Sequence, residues 1–76
     1  MTRDAPGDLE IVGLEAIARY YGISLSTLRV KHLREMKQAG AVWWRKVGRP
    51  ARKEYFAKEG NLRLYAVQLM QRGEAL

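Results

Sequence analysis

The 76 residues contain no cysteine, so neither a disulfide nor a thiolate metal site supplements the core. That absence fits the reducing cytoplasm, the location expected here. There is one histidine, His32, and no Walker-type or dinucleotide glycine loop. Paired carboxylates at a fixed helical spacing are also missing. No run approaches the ~18 apolar residues of a membrane span, and the N-terminus has no signal-peptide core, so no membrane partner is expected. So short a chain forms one domain with a thin core and little room for a pocket. Together these absences argue against an enzyme. No catalytic residue, metal ligand, cofactor or small-molecule substrate is expected.

Acidic residues are also scarce, 8 against 14 basic ones, for a net charge of +6. The imbalance is local. Residues 29–54 hold nine basic side chains and two acidic ones, a charge of +7, so the rest of the chain sums to −1. Basic charge gathered in one window is the electrostatic footprint of a nucleic-acid binder, although a solvated basic surface gives the same count.

Residues 1–8, with Pro6-Gly7 and few apolar side chains, are expected to be a disordered arm. Arg3 is offset there by Asp4 and Asp8, which favours a plain tail over a minor-groove arm. The domain is expected over residues 9–76. It opens with a short apolar run at residues 9–12, extended or a brief edge strand. Gly13 suits a helix N-cap, with Glu15 near the positive end of the helix dipole. Leu14, Ile17, Ala18 and Tyr21 fall at i, i+3, i+4 and i+7, which makes residues 14–21 a helix with one buried stripe. Small Ala18 suits a close helix crossing. Gly22 can take positive φ, Ile23 is an apolar plug, and Ser24 is an N-cap for a second helix.

The run Leu14-Glu-Ala-Ile-Ala-Arg-Tyr-Tyr-Gly-Ile-Ser-Leu-Ser-Thr-Leu-Arg29 resembles the helix-turn-helix of bacterial and phage DNA-binding proteins. The features that match are Ala18, Gly22, Ile23, Ser26-Thr27 and Leu28. It is particularly similar to excisionase-like, MerR-type and terminase-small-subunit DNA-binding domains. The resemblance implies a phage or mobile-element protein acting in excision, packaging or transcription regulation. One position departs from the pattern: Lys31 stands where an apolar residue is usual, which leaves that role to a slight helix rotation or to Val30 and His32.

The second helix is expected over residues 25–39, ended by Gly40. Leu25, Leu28, His32, Met36 and Ala39 share its apolar stripe, with Leu33 at the edge. His32 therefore reads as a packed, hydrogen-bonded histidine. The other side carries Ser24, Ser26, Thr27, Lys31, Arg34 and Gln38, the candidate DNA-reading residues: short side chains come first and basic ones later, as on a recognition helix. A solvated face is the bland alternative.

Residues 41–47 and 52–57 are rich in strand formers and flank the turn Gly48-Arg49-Pro50-Ala51. Pairing Val47 with Arg52 sets Arg45 against Glu54, Trp44 against Tyr55 and Trp43 against Phe56, all favourable, but Lys46 against Lys53. Like charges at a hairpin tip are easier to explain with a polyanion beside them. The Gly48-Arg49-Pro50 tip resembles a winged-helix wing and the core of an AT-hook, although Val47 replaces the arginine an AT-hook has there. Arg45, Lys46, Arg49, Arg52 and Lys53 are the candidate wing contacts. Trp43 and Trp44 point to opposite faces, so one is expected in the core.

Lys58-Glu59-Gly60 reads as a linker, and Asn61 as the cap of a last helix over residues 62–71. Leu62, Tyr65, Ala66 and Leu69 form its buried stripe, with Met70 at the margin. Leu64 and Val67 lie elsewhere, either docking a second copy into a homodimer or as scattered surface apolars.

The fold expected is therefore α+β, mostly α: two helix-turn-helix helices, a β-hairpin wing and a C-terminal helix. The function expected is sequence-specific binding of double-stranded DNA, with the second helix in the major groove and the wing near the minor groove. The alternative is a winged-helix module for protein interaction or oligomerisation. RNA is disfavoured because its narrow major groove does not admit a helix.

Overall fold

A computed structural model of the chain describes residues 9–76, and the arm expected over residues 1–8 lies outside them. In chain order the elements are β1 (Glu10–Val12), α1 (Leu14–Tyr21), a helix α2 over residues 25–39, β2 (Trp43–Val47), β3 (Arg52–Lys58) and α3 (Glu59–Gln71). Within α2, a π turn at Leu28–His32 separates α-helical Leu25–Thr27 from α-helical Leu33–Ala39. The strands form one antiparallel sheet in the order β1-β3-β2. The result is a small α+β domain, about half helical rather than mostly so. Among the described residues no helix is long and apolar enough to cross a membrane.

The turn between α1 and α2 follows from local chemistry. Ile17 and Ala18 are buried, and Leu14 and Tyr21 pack against the same core. Gly22, at φ +70°, ends α1, and the Ile23 N–H donates back to the Ala18 carbonyl at 3.0 Å. Gly40, at φ +76°, ends α2 in the same way, with Ala41 N–H on the Met36 carbonyl at 2.8 Å. Ser24 caps α2: its Oγ accepts from Thr27 N–H at 3.0 Å.

The π turn accounts for the departure at Lys31. Leu33 N–H bonds to the carbonyl of Leu28, five residues back, so one extra residue is accommodated in the turn. Leu28, His32 and Met36, four apart, are all buried, while Arg29, Val30 and Lys31 all lie outside. His32 therefore takes the inward place, and Val30 does not share it. Ala39, expected on the buried stripe, is exposed where the chain turns away at Gly40.

The hairpin has the expected register: Trp43 faces Phe56, Trp44 faces Tyr55, Arg45 faces Glu54, Lys46 faces Lys53 and Val47 faces Arg52. Its neighbours differ from expectation in two places. No linker follows β3. Pairing with β1 carries that strand through Lys58, opposite Glu10, and Glu59 N–H bonds to the Leu9 carbonyl at 2.8 Å. α3 then starts at Glu59, with Lys58 rather than Asn61 at the N-cap. The Glu59 carboxylate, at the positive end of the helix, is held by Arg63 and by the Tyr20 hydroxyl, each at 2.5 Å.

Neither tryptophan enters the core: Trp43 is 43% exposed and Trp44 45%. Strand alternation puts Trp44 on the face of Tyr55 and Ala57, but the helices cover only the base of the hairpin. Small Ala41, Val42 and Ala57 fill that base. Trp44 lies beyond it, beneath the Lys53 ammonium, 4.8 Å from the ring centre. Trp43, on the other face, leans on Phe56 with ring centroids 6.1 Å apart.

α3 closes the core with Leu62, Tyr65 and Leu69, and a polar chain running from the core out to the surface ties it to α2. The Tyr65 hydroxyl donates to Glu35 at 3.1 Å and lies 3.2 Å from His32 Nδ1, which must then be the protonated ring nitrogen. Arg72 grips the same Glu35 at 2.5 and 3.2 Å. His32 Nε2 is buried without a partner. Burial, and then the charge of Lys31, depress the pKa of His32 against the opposing pull of Glu35 and Glu74. The unfolded chain, with a histidine pKa of about 6.5, therefore takes up the proton first. This stabilisation is full above that pH and is lost as pH falls below it. Glu35 does not titrate in that window, because Arg72 and then Tyr65 hold it below its usual range. The urea midpoint is expected to drop between pH 7.5 and 5, and His32→Gln should flatten the dependence. An NMR titration of this lone histidine at its ordinary value would contradict the assignment.

Candidate nucleic-acid interface

β1 pairs with β3 only as far as Val12 opposite Phe56, and the chain then leaves the sheet to begin α1. The edge of β3 from Arg52 to Tyr55 is left uncovered apart from one bond, Gly13 N–H to the Tyr55 carbonyl at 2.7 Å. An open groove of about 530 Å³ runs along this edge. One wall is α1, with Glu15 in its first turn and Arg19 in its last, and the other is the first half of α2, with Leu25 and Arg29. The strand edge from Arg52 to Tyr55 lines the floor, with Lys53 and Tyr55 on one sheet face and Arg52 and Glu54 on the other. Glu54 carries little free negative charge, since it is paired with Arg45 at 2.9 Å.

Two of the five expected hairpin contacts, Arg52 and Lys53, thus line the groove, with the Arg52 guanidinium lying against the turn at Gly48. Arg49 sits at the exposed tip, and Lys46 is exposed opposite Lys53. The strain expected from that like-charge pair is relieved within the hairpin, because the Lys53 ammonium is turned over Trp44. Arg45 is placed differently. Its guanidinium bonds to Glu54 at 2.9 Å and Glu10 at 3.1 Å and covers the Phe56 ring at 4.3 Å. It ties all three strands together on the sheet face shared with Phe56, away from Lys53.

On α2, Ser26, Lys31, Arg34 and Gln38 are exposed. Ser24 and Thr27 are occupied with each other: besides capping, the Ser24 hydroxyl donates to Thr27 Oγ1 at 2.8 Å. Further along the helix, the Lys37 ammonium lies 5.7 Å from the centre of the Tyr55 ring. Two groove residues were not among the candidates. Arg29 stands four residues after Leu25, at the edge of the apolar stripe, and that spacing was a readable signal. Arg19 is in α1, outside the basic window, and only the tertiary fold brings it near. The chain matches no protein-family model, no curated protein and no solved structure.

Proposed function

We propose that the chain is a winged helix-turn-helix domain that binds double-stranded DNA in a sequence-specific manner. The observation that carries this reading is the convergence of Arg19, Arg29, Arg52 and Lys53, from three separate elements, on one groove beside the exposed polar side of α2. In this reading α2 enters the major groove. Ser26, Lys31 and Arg34 face base edges and flanking phosphates, Arg29, Arg52 and Lys53 neutralise phosphates, and the β2–β3 hairpin is the wing with Arg49 near the adjacent minor groove. The resemblance to phage and mobile-element domains adds a role in excision, packaging or transcription regulation, in the cytoplasm of a bacterial or phage-infected cell.

The test is binding to a random duplex pool across a salt series, with sequencing of the retained DNA. Six neutralised phosphates give a log–log salt slope of about −5. Arg49→Ala is expected to weaken binding most on A·T-rich flanks, where a narrow minor groove concentrates negative potential. Equal loss on every sequence would reduce Arg49 to a plain phosphate contact. Lys31→Ala should change the enriched motif, and an unchanged motif would mean that α2 lies in another orientation.

A second reading rests on α3, where Leu64, Val67 and Met70 are 54%, 41% and 73% exposed. That apolar strip suits a protein partner or a second copy of the chain. A short recognition helix reads few base pairs, so a dimer would also serve the DNA reading. Sedimentation with and without duplex separates the two cases. A dimer that forms without DNA and shows no duplex binding would favour the interaction module.

A further inference from the structure

The π turn of α2 leaves one feature that the fold itself does not use. Val30 is 81% exposed, on the outside of the turn. A valine there buries nothing in the protein, and its branched side chain is a poor helix former. Branching also locks χ1 in a helix, so its two methyl groups are held in fixed positions. Ser26 and Arg34, four residues before and after, lie on the same line, and Arg29 and Lys31 flank it. A shallow, largely apolar depression is lined by Leu25, Ser26, Arg29 and Val30. The surface is thus a rigid apolar point set among three basic side chains. An apolar protein partner is a poor match for that surround, whereas a polyanion that presents an isolated methyl group fits it. In the major groove of duplex DNA, thymine presents such a group at C5.

We infer that Val30 is a specificity-determining residue that packs on a thymine C5-methyl, with Arg29, Lys31 and Arg34 holding the surrounding backbone and base edges. This inference rests on the DNA-binding reading. Buried Leu28 and His32 anchor the π turn at both ends, and the three residues between them, Arg29, Val30 and Lys31, all face outward.

The experiment starts from the motif enriched by the full chain. Each dT of the motif is replaced in turn by dU, which removes only the methyl group, and affinity is measured for the native chain and for Val30→Ala. One dU is expected to weaken the native chain about fourfold, as for one buried methyl, and to leave Val30→Ala unchanged. An enriched motif in which every dU costs both proteins equally, or neither, overturns the role of Val30 and leaves the DNA reading standing. A change in sedimentation of the free protein on Val30→Ala, with no dU response, assigns the patch to self-association and overturns the inference. Failure to enrich any motif overturns the DNA reading and this inference with it.

Discussion

Leu28→Ala is expected to destabilise the domain by about 2–5 kcal/mol, a large share of what so small a fold possesses. Leu28 is fully buried and opens the π turn, where its carbonyl accepts the Leu33 N–H. It packs in one cluster with Ile17, Met36 and Leu62, from all three helices. Truncation removes that contact and leaves a cavity that a helix pinned on both sides cannot collapse to fill. Urea unfolding at pH 7.5 measures the loss. Val30→Ala, two residues on, is the control and should fall within about 0.5 kcal/mol of the native chain. A native-like midpoint for Leu28→Ala would mean that the α2 register is wrong.

Removing the groove charges together, Arg29→Ala with Arg52→Ala and Lys53→Ala, is expected to reduce duplex affinity on the order of several hundredfold at 0.1 M salt. Each lost phosphate contact removes about 0.9 from the log–log salt slope, so three make it shallower by about 2.7. Arg45→Ala should leave the slope as it is, because that guanidinium is already bound to Glu54 and Glu10. The contrast separates place from charge, since Arg45 belongs to the same basic window. Circular dichroism of the triple variant checks that it folds. An unchanged slope would show that phosphates do not follow the groove. A shallower slope for Arg45→Ala would extend the phosphate path over the sheet face that carries Glu54 and Phe56.

The local elements could be read along the chain because their causes are local. The period of Leu14, Ile17, Ala18 and Tyr21, the left-handed Gly22 and Gly40, and the Ser24 cap each depend on residues within a turn or two of one another. The hairpin register was equally legible, since one turn and two facing aromatic pairs leave little freedom to slip. The charge window held Arg29, Arg52 and Lys53 of the groove, the last two already named as candidates, but not Arg19.

Decisions taken by distant residues could not be read in that way. The start of α3 depends on β1, more than 45 residues earlier, because pairing with β1 carries β3 through Lys58 and removes the linker expected at Lys58-Glu59-Gly60 and the cap expected at Asn61. Alternation assigns Trp44 a face, but the extent of helix cover over that face decides whether it is buried, and the cover stops at Ala57 and Val42. Arg45 reads as one more wing cation until Glu10 of β1 and Glu54 of β3 are seen to hold it. The π turn brings His32 inward to meet Tyr65 of α3, a contact with a residue more than 30 positions away. Short-range periodicity and capping therefore set the helices, the hairpin and where the charge lies along the chain. Packing between elements far apart in sequence set which aromatic rings stay wet, which cations stay free and where α3 begins, because burial and ion pairing depend on neighbours in space rather than in sequence.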